Sequence, residues 1–238
     1  KDCKEIVLTG INLGDFGKGN EGGKRKEYNF LDLLKAIEAY DSGIERFRIS
    51  SIEPNLLSNE IIEFVAQSKK IMPHFHIPLQ SGNNRILGLM KRRYQRELYK
   101  ERVKYIKKLM PHCCIGVDVI VGFPSESEEE FQDTFNFLHE IDISYLHVFT
   151  YSERDHTQAL TIEPVVPIEV RNQRNKILRN LSFQKLNFFT EQHRGQSRAV
   201  LFEQADKNGM MEGYSDNYIK IQAPYQKERV NSIEMWNL

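Results

Sequence analysis

Five short segments of this chain are rich in β-branched and aromatic residues, and more polar stretches separate them. The segments read EIVLTG (5–10), RFRISS (46–51), HFHIPL (74–79), CIGVDVIVG (114–122) and SYLHVFTYS (144–152). The stretches between them repeat apolar residues at three- and four-residue steps, which predicts amphipathic helices. Because strand and helix alternate, we expect parallel strands with right-handed crossovers, in an open or closed (βα) barrel rather than a sandwich.

The pattern changes after a long helical stretch that runs from Val170 to about His193. Beyond it, short strand-like pieces are separated by turns of Gly, Asn, Asp and Pro: SRAVLFEQ, GMMEGYSDNYIKIQAP and NSIEMW. Short strands punctuated in this way are typical of a small antiparallel β-barrel. The sequence therefore predicts two domains, 1–194 and 195–238.

Two serines carry signals for the start of a helix. Ser127 precedes Glu130 by three residues, which is the pattern of a capping box, whereas Ser58 is a plain N-cap candidate. The acidic run Glu128, Glu129 and Glu130 then falls in a first turn, where the helix dipole favours negative charge. We therefore interpret these acidic residues as structural and not as a metal site.

Composition and charge restrict the possible partners. Hydrophobic residues make up 40% of the 238 positions and charged residues 28%, which is ordinary for a globular protein. The sequence contains no apolar run of membrane-spanning length and no signal peptide at its start, so we expect a cytoplasmic protein without a membrane partner. Equal numbers of basic and acidic residues, 33 of each, argue against binding a polyanion over the whole surface but allow a local basic face.

The beginning of the chain and its cysteines bear on completeness and redox state. The first residue is Lys1 rather than Met, and a strand follows almost at once, so we expect a fragment of a longer protein. The three cysteines, Cys3, Cys113 and Cys114, lack metal-ligand spacing and cannot all pair with one another. We expect them to be reduced thiols.

Polar residues and glycines follow the predicted strands at the ends where parallel (βα) proteins bind their ligands. The candidates, in strand order, are Gly10 and Asn12; Ser50, Ser51 and Glu53; Gln80 and Ser81; and Asp118 and Gly122. A turn without a ligand would resemble the first of these groups, and Asp118 could be a buried structural carboxylate. His74 and His76 could ligate a metal, but no third ligand has convincing spacing, so we predict no metal site.

A basic stretch spans residues 91–108, with nine Lys or Arg and two Glu. Arg92, Arg93 and Arg96 at its start could face a phosphate backbone. The same charges would also suit a solvated helix face with ion pairs such as Arg93 with Glu97 and Glu101 with Lys104. The sequence alone does not decide between these alternatives.

Five motifs occur in an order that resembles the radical S-adenosylmethionine (SAM) methylthiotransferases. They read EIVLTGINLGDFG, RISSIEP, HFHIPLQSGNNRILGLMKRRY, IGVDVIVGFPSESEEEF and YLHVFTYSERDHTQA. The first and last of them look most like the branch that acts on threonylcarbamoyladenosine beside the tRNA anticodon. The tail after Gly195 resembles the TRAM domain, a small β-barrel that binds RNA.

The resemblance implies a radical SAM barrel whose second to sixth strands are present in this chain. It implies SAM and [4Fe-4S] clusters as cofactors, and tRNA, an electron donor and a sulfur source as partners. The candidate residues at the strand ends would then line the SAM site, with the Gly122 turn beside its adenine or methionine part. One departure is important: the family's CxxxCxxC motif is absent. We therefore expect this chain alone to hold no cluster and to be inactive.

For the RNA, the candidates are Arg92, Arg93 and Arg96 together with a set in the tail: Arg198, Lys207, Tyr214, Asn217, Tyr218 and Lys220. The two tyrosines could stack on unpaired bases, although aromatic residues in a small barrel are more often core. Other functions stay open. One is a methylthiotransferase of another branch, which acts on isopentenyladenosine in tRNA or on a ribosomal protein. A second is an RNA-binding module without catalysis. A third is an unrelated lyase or aldolase that uses Ser50, Glu53 and His76.

Overall fold

Parallel strands and helices follow one another through Glu191 in the computed structural model, which describes residues 3–17, 28–205 and 208–238. The elements are β1 (Glu5–Leu8), α1 (Phe30–Ala39), β2 (Arg46–Ile49), α2 (Asn59–Gln67), β3 (His74–His76), α3 (Asn84–Leu89), α4 (Arg96–Leu109), β4 (Cys114–Val121), α5 (Glu128–Glu140), β5 (Tyr145–Thr150) and α6 (Ile168–Glu191). All five predicted strands and the long helix are confirmed. Among these described helices, none is long and apolar enough to cross a membrane.

The strands form two parallel sheets, β1 with β2 and β3 with β4 and β5. Single bridges, Phe47 with Ile71 and Ser51 with His76, join the two sheets into one continuous layer. Within the second sheet Asp118 lies directly opposite His147. Because the strands are parallel, their carboxyl ends share one edge, and side chains from different strands meet there.

Strand β4 shows how the apolar run is divided between two faces. Ile115, Val117, Val119 and Val121 are completely buried and belong to the main core, which also contains side chains of α4 and α5. The alternate side chains point to the other face, which leaves Asp118 half-buried there. The core therefore lies between the strands and the helices, and Asp118 lies on the opposite face of the strand layer.

The predicted helix starts are confirmed in detail. The Ser127 hydroxyl accepts the Glu130 N–H at 3.2 Å and the Glu130 carboxylate accepts the Ser127 N–H at 2.9 Å, which completes the capping box. Ser58 caps α2 with one bond. Helix α4 begins only at Arg96, so Arg93 lies before the helix, and Glu97 contacts Arg96 and Asn84 instead of Arg93.

After α6 the chain forms a four-stranded antiparallel sheet, here called the tail sheet, with the order β8-β7-β6-β9. Its strands are β6 (Ser197–Ala205), β7 (Met210–Ser215), β8 (Lys220–Pro224) and β9 (Ile233–Asn237). Val200, Phe202, Met211 and Ala223 form a small core of its own, with Trp236 packed against it. The predicted change from parallel to antiparallel strands is confirmed.

The tail sheet packs against the amino ends of the parallel strands. Arg48 donates hydrogen bonds to the carbonyl oxygens of Ser215 (2.7 Å) and Asp216 (3.0 Å). The Tyr218 ring stacks on the His74 ring with centroids 4.2 Å apart. Since His74 is the first residue of β3, this contact lies at the end of the strands opposite to their carboxyl ends.

Candidate active site

A cavity of about 850 Å³ opens at the carboxyl ends of β3, β4 and β5. This volume lies within the range of small-molecule and cofactor sites. Its polar lining includes Gln80, Asp118, Lys91, Arg92, Arg154 and Gln158, and its apolar lining includes Leu89, Ile120, Phe123 and Phe149. The cavity therefore offers both ring-sized apolar surface and charged groups of either sign.

Gln80, which lines the cavity, is held in an unusual backbone conformation. Its φ is +70°, in the left-handed region that non-glycine residues seldom adopt. The Gln80 N–H donates to the Asp118 carbonyl (2.8 Å), and the Gln80 carbonyl accepts from the Ile120 N–H (2.9 Å). A left-handed residue costs on the order of 1–3 kcal/mol and persists only where its surroundings enforce it, which happens often at functional sites.

Asp118 is the acidic group of the cavity. Its Oδ1 lies 2.9 Å from His76 Nε2 and 3.3 Å from His147 Nδ1. Burial by itself would raise the pKa of Asp118, but the hydrogen bonds from His147 and His76 outweigh it and hold that pKa well below its usual range. Asp118 is therefore an ionised carboxylate at neutral pH. The sequence showed no reason to bring His147 to it.

Arg92 connects the cavity with the loop after β2. Its Nη1 lies 3.1 Å from Glu53 Oε1, while its Nε is buried and, among the described residues, has no hydrogen-bond partner. Lys91, with φ of +55°, bonds to Gln158 across the cavity. Arg92 was predicted to bind RNA and Glu53 to bind the cofactor, whereas the structure pairs the two side chains beside one cavity.

Of the candidates after β1 and β2, Gly10, Asn12, Ser50 and Ser51 are not among the residues that line the cavity. Asn12 donates through Nδ2 to Asp15 (3.0 Å), and its Oδ1 is buried without a partner among the described residues. Ser51 bridges to His76 through the backbone, and the Ser50 N–H donates to the Leu8 carbonyl. Gly10 is exposed after β1. Their assignment to a cofactor stays a prediction.

Ser81 and Gly122 have structural partners. Ser81 is completely buried, and its hydroxyl lies 3.2 Å from the Thr134 hydroxyl of α5. Gly122 has a φ of +72°, and a Cβ added to it would lie 2.3 Å from Arg171 Cγ. Its N–H donates to Glu126 Oε2 at 2.6 Å. These contacts shape the loops that follow β3 and β4, and a role of either residue toward SAM stays a prediction.

The cysteines of this chain do not fit a [4Fe-4S] cluster. Cys3 is exposed, whereas Cys113 and Cys114 are buried, and burial raises the pKa of the Cys114 thiol to about 12. A cluster requires converging thiolates. Within the described residues, only His76, Asp118 and His147 bring three ligand atoms close together. No step of a reaction can therefore be assigned to a cluster held by this chain.

Some of the tail-sheet residues predicted to bind RNA contact the parallel part of the chain, and others lie at the surface. Asn217 is completely buried and donates through Nδ2 to the His112 carbonyl (3.1 Å), and Tyr218 lies between the rings of His74 and Tyr214. Arg198 pairs with Asp216, and the half-exposed Lys220 pairs with Glu212. Lys207 lies outside the described residues.

Near the cavity, the basic residues before α4 also differ in their surroundings. Arg93 is exposed, whereas Arg96 donates to the Gly82 carbonyl at 3.1 Å. The ring of Phe137 lies below the Arg96 guanidinium, 5.9 Å away. Binding of RNA by Arg92, Arg93 or Arg96 stays a prediction.

Comparison with known proteins gives relatives along almost the whole chain. Proteins named threonylcarbamoyladenosine tRNA methylthiotransferase MtaB, from Bacillus subtilis (strain 168) and Aquifex aeolicus (strain VF5), are 41% and 42% identical over 92% and 96% of this chain. A Staphylococcus aureus (strain MRSA252) protein named tRNA-2-methylthio-N(6)-dimethylallyladenosine synthase is 33% identical over 97% of it. The chain spans 48%, 53% and 44% of these relatives, about half the length of each.

The family model described as the radical SAM superfamily matches residues 3–138. This match covers more than half of the chain. It includes β1 to β4 and four polar residues that line the cavity, Gln80, Lys91, Arg92 and Asp118. On this match, the chain belongs to the radical SAM superfamily.

Proposed function

We propose that the protein of which this chain is a part adds a methylthio group to C2 of the adenine in threonylcarbamoyladenosine, next to the tRNA anticodon. In this proposal residues 1–194 supply five strands of a radical SAM (βα) barrel, and residues 195–238 form a TRAM-like β-barrel that binds RNA. The protein acts in the cytoplasm and uses SAM, an electron donor and a sulfur source. Cysteines outside this chain hold its [4Fe-4S] clusters.

The observation that carries the proposal is the cavity at the carboxyl edge of the parallel strands. Ligands of parallel (βα) proteins bind at this edge, and the cavity's volume of about 850 Å³ suits a nucleoside-sized cofactor. Phe123 and Phe149 offer apolar rings to an adenine, while Gln80 and Asp118 offer polar groups to a ribose or an ammonium group. The similarity to the MtaB proteins supports the choice of reaction.

Charge in the cavity favours the threonylcarbamoyl substrate. Lys91, Arg92 and Arg154 all line it. Both the methionine part of SAM and a threonylcarbamoyl group carry a carboxylate, and buried carboxylates need a cationic partner. A dimethylallyl group is apolar and would gain nothing from these cations. Arg92 is paired with Glu53, so Lys91 and Arg154 would be the cations that face the two carboxylates.

RNA contacts are proposed on the surface that remains accessible. Lys220 and Tyr214 of the tail sheet, and Arg93 before α4, are the candidates for phosphate and base contacts. The buried Asn217 and the stacked Tyr218 would act indirectly in this proposal, because they hold the tail sheet against the parallel strands. A chain with zero formal net charge must concentrate its phosphate contacts locally.

A second candidate is the methylthiolation of dimethylallyladenosine in tRNA. The similarity to the Staphylococcus aureus protein, 33% over 97% of the chain, supports it. It differs from the first candidate in substrate rather than in cofactor. One experiment on tRNA nucleosides can therefore distinguish the two.

The test is to disrupt the gene that encodes this chain and to analyse the nucleosides of total tRNA by liquid chromatography and mass spectrometry. We expect threonylcarbamoyladenosine to lose its methylthio group while methylthiolated dimethylallyladenosine persists. Restoring the intact gene should recover the modification. Loss of methylthiolation on dimethylallyladenosine alone would favour the second candidate, and no change in either nucleoside would refute both.

A further inference from the structure

Side chains from three adjacent strands converge beside the cavity, on the face of the strand layer that carries Asp118. His76 stands in β3, Asp118 in β4 and His147 in β5. One potential ligand atom from each of the three side chains lies within 4.8 Å of the other two. His76 and His147 are separated by 71 positions in sequence, so only the pairing of the strands brings them together.

We propose that these three side chains, here called the His-Asp-His cluster, bind one divalent transition-metal ion such as Zn²⁺. Zn²⁺ binds nitrogen and oxygen at about 2.0–2.2 Å, so neighbouring ligands of a tetrahedral ion lie about 3.3 Å apart. The separation of Asp118 Oδ1 from His147 Nδ1 is 3.3 Å, and that from His76 Nε2 is 2.9 Å. Both distances from the carboxylate oxygen therefore match those between neighbouring ligands of one ion.

The chemistry of the ligands selects the class of metal. Two imidazoles and one carboxylate form the three-ligand set that holds Zn²⁺ or Fe²⁺ with open coordination positions. Mg²⁺ prefers an oxygen-only environment and keeps its waters. Because Asp118 also lines the cavity, the open positions of a bound ion would face a ligand there. The proposal does not depend on the proposed function.

The surroundings of the cluster restrict the movement of its rings. The Tyr145 ring lies across Gly116, where an added Cβ would meet the Tyr145 hydroxyl oxygen at 2.3 Å. The same ring contacts both imidazoles, with centroid distances of 6.3 Å to His76 and 5.2 Å to His147. Gly116 therefore makes room for the side chain that supports both imidazole ligands.

Without a metal, the same atoms form a hydrogen-bonded group. The two imidazoles then donate protons to one Asp118 oxygen, and the metal would replace these two protons. A purely hydrogen-bonded cluster is thus the alternative that the experiment must exclude. It predicts no stoichiometric binding of metal.

The experiment is a titration of the 238-residue chain with Co²⁺, followed by its visible d–d absorption, and then competition with Zn²⁺. We expect one equivalent of Co²⁺ to bind, Zn²⁺ to displace it, and Mg²⁺ in large excess to leave it in place. His76→Ala and His147→Ala should each lower the affinity at least tenfold, since even the loss of an outer-shell partner costs 10–100-fold.

The matched control is His139→Ala, which removes an exposed imidazole from α5. Cys3→Ser removes the exposed thiol. Both variants should bind Co²⁺ as the unchanged chain does. Far-ultraviolet circular dichroism establishes that each variant is folded, and His147→Asn replaces His147→Ala if that variant is not. The proposal is overturned if Co²⁺ fails to bind at one equivalent, if the cluster variants keep full affinity, or if a control loses it.

Discussion

The contact of Arg48 with the tail sheet allows a quantitative prediction about how the two parts of the chain are joined. The Arg48 side chain is 2% exposed, and its Nε lies 2.7 Å from Glu5 Oε1. It also donates to the Ser215 and Asp216 carbonyls and lies over the Tyr218 ring, 5.1 Å from its centroid. One guanidinium thus joins β1, β2 and the turn between β7 and β8.

We predict that Arg48→Met destabilises the chain by about 3–5 kcal/mol. Methionine fills part of the volume but leaves the Glu5 carboxylate and the Asp216 carbonyl without the Arg48 donor, while the Ser215 carbonyl keeps the Tyr218 N–H at 3.0 Å. Removing one partner of a buried ion pair costs about 3–5 kcal/mol, and each buried group left unsatisfied costs about 1–3 kcal/mol. Arg46 limits the loss, since its guanidinium lies 3.9 Å from Glu5 Oε2 and can share this charge. For a chain of this size, the change lowers Tm by roughly 10 °C.

The assay is urea unfolding followed by two signals. Trp236 is the single tryptophan and lies in β9, so its fluorescence reports on the tail sheet. The six α-helices described precede the tail sheet, so circular dichroism at 222 nm reports on the parallel part. In the unchanged chain we expect the two transitions to coincide. In Arg48→Met the tryptophan transition should come at lower urea than the helical one.

The matched control is Arg93→Met, which changes an exposed arginine before α4 and should alter the unfolding free energy by no more than about 0.5 kcal/mol. The reasoning is refuted if Arg48→Met lies within 1 kcal/mol of the unchanged chain and keeps coincident transitions. In that case apolar contacts, such as that of Cys114, Phe189 and Ile219, would suffice to hold the tail sheet.

Four further predictions concern the cofactor, the cluster, the pH and the RNA. Gln80→Ala should weaken SAM binding to this chain by about 1 kcal/mol, or roughly fivefold by calorimetry, and unchanged affinity would remove Gln80 from the site. Anaerobic reconstitution of the chain with iron and sulfide should give no stoichiometric cluster absorbance, and its appearance would show that the cysteines had been misjudged. Burial holds the pKa of His74 well below its usual range. Below about pH 6.5 the His74 imidazole is therefore protonated in the unfolded chain but stays neutral in the folded chain, and the folded state loses stability as the pH falls. His74→Phe should therefore lose less stability than the unchanged chain between pH 7 and 5, by up to about 1.4 kcal/mol per pH unit below 6.5 in urea unfolding, and equal losses would contradict this. Lys220→Ala in the full-length protein should weaken tRNA binding and reduce its salt dependence by about one counterion, whereas an unchanged salt slope would place the phosphate contacts elsewhere.

The order of the elements could be predicted because it depends on local patterns. The buried run of β4 and the capping box at Ser127 are properties of consecutive residues, and the structure confirms both. The ends of the strands follow from the same pattern, which is why Gln80 and Asp118 could be predicted to lie close together, and both line the cavity. The family, too, could be predicted from motifs that are each continuous in sequence.

The tertiary structure alone decided which of these residues meet. His147 reaches Asp118 because β5 pairs with β4 in one particular register, and a shift of one residue would turn His147 to the opposite face. The same reasoning applies to Tyr218, which the sequence offered as a base-stacking residue and the structure places against His74 at the amino ends of the strands.

Hydrophobic periodicity determined the type of each element and the face that it buries, since both depend on neighbours a few positions away. Contacts between distant segments depend instead on strand register, on the position of the tail sheet and on the burial of charges such as Arg48. Those quantities arise only when the whole core is packed. The sequence by itself therefore determined the parallel layer, the tail sheet and the edge at which the cavity opens. The His-Asp-His cluster and the Arg48 contact follow instead from long-range packing that no local pattern specifies.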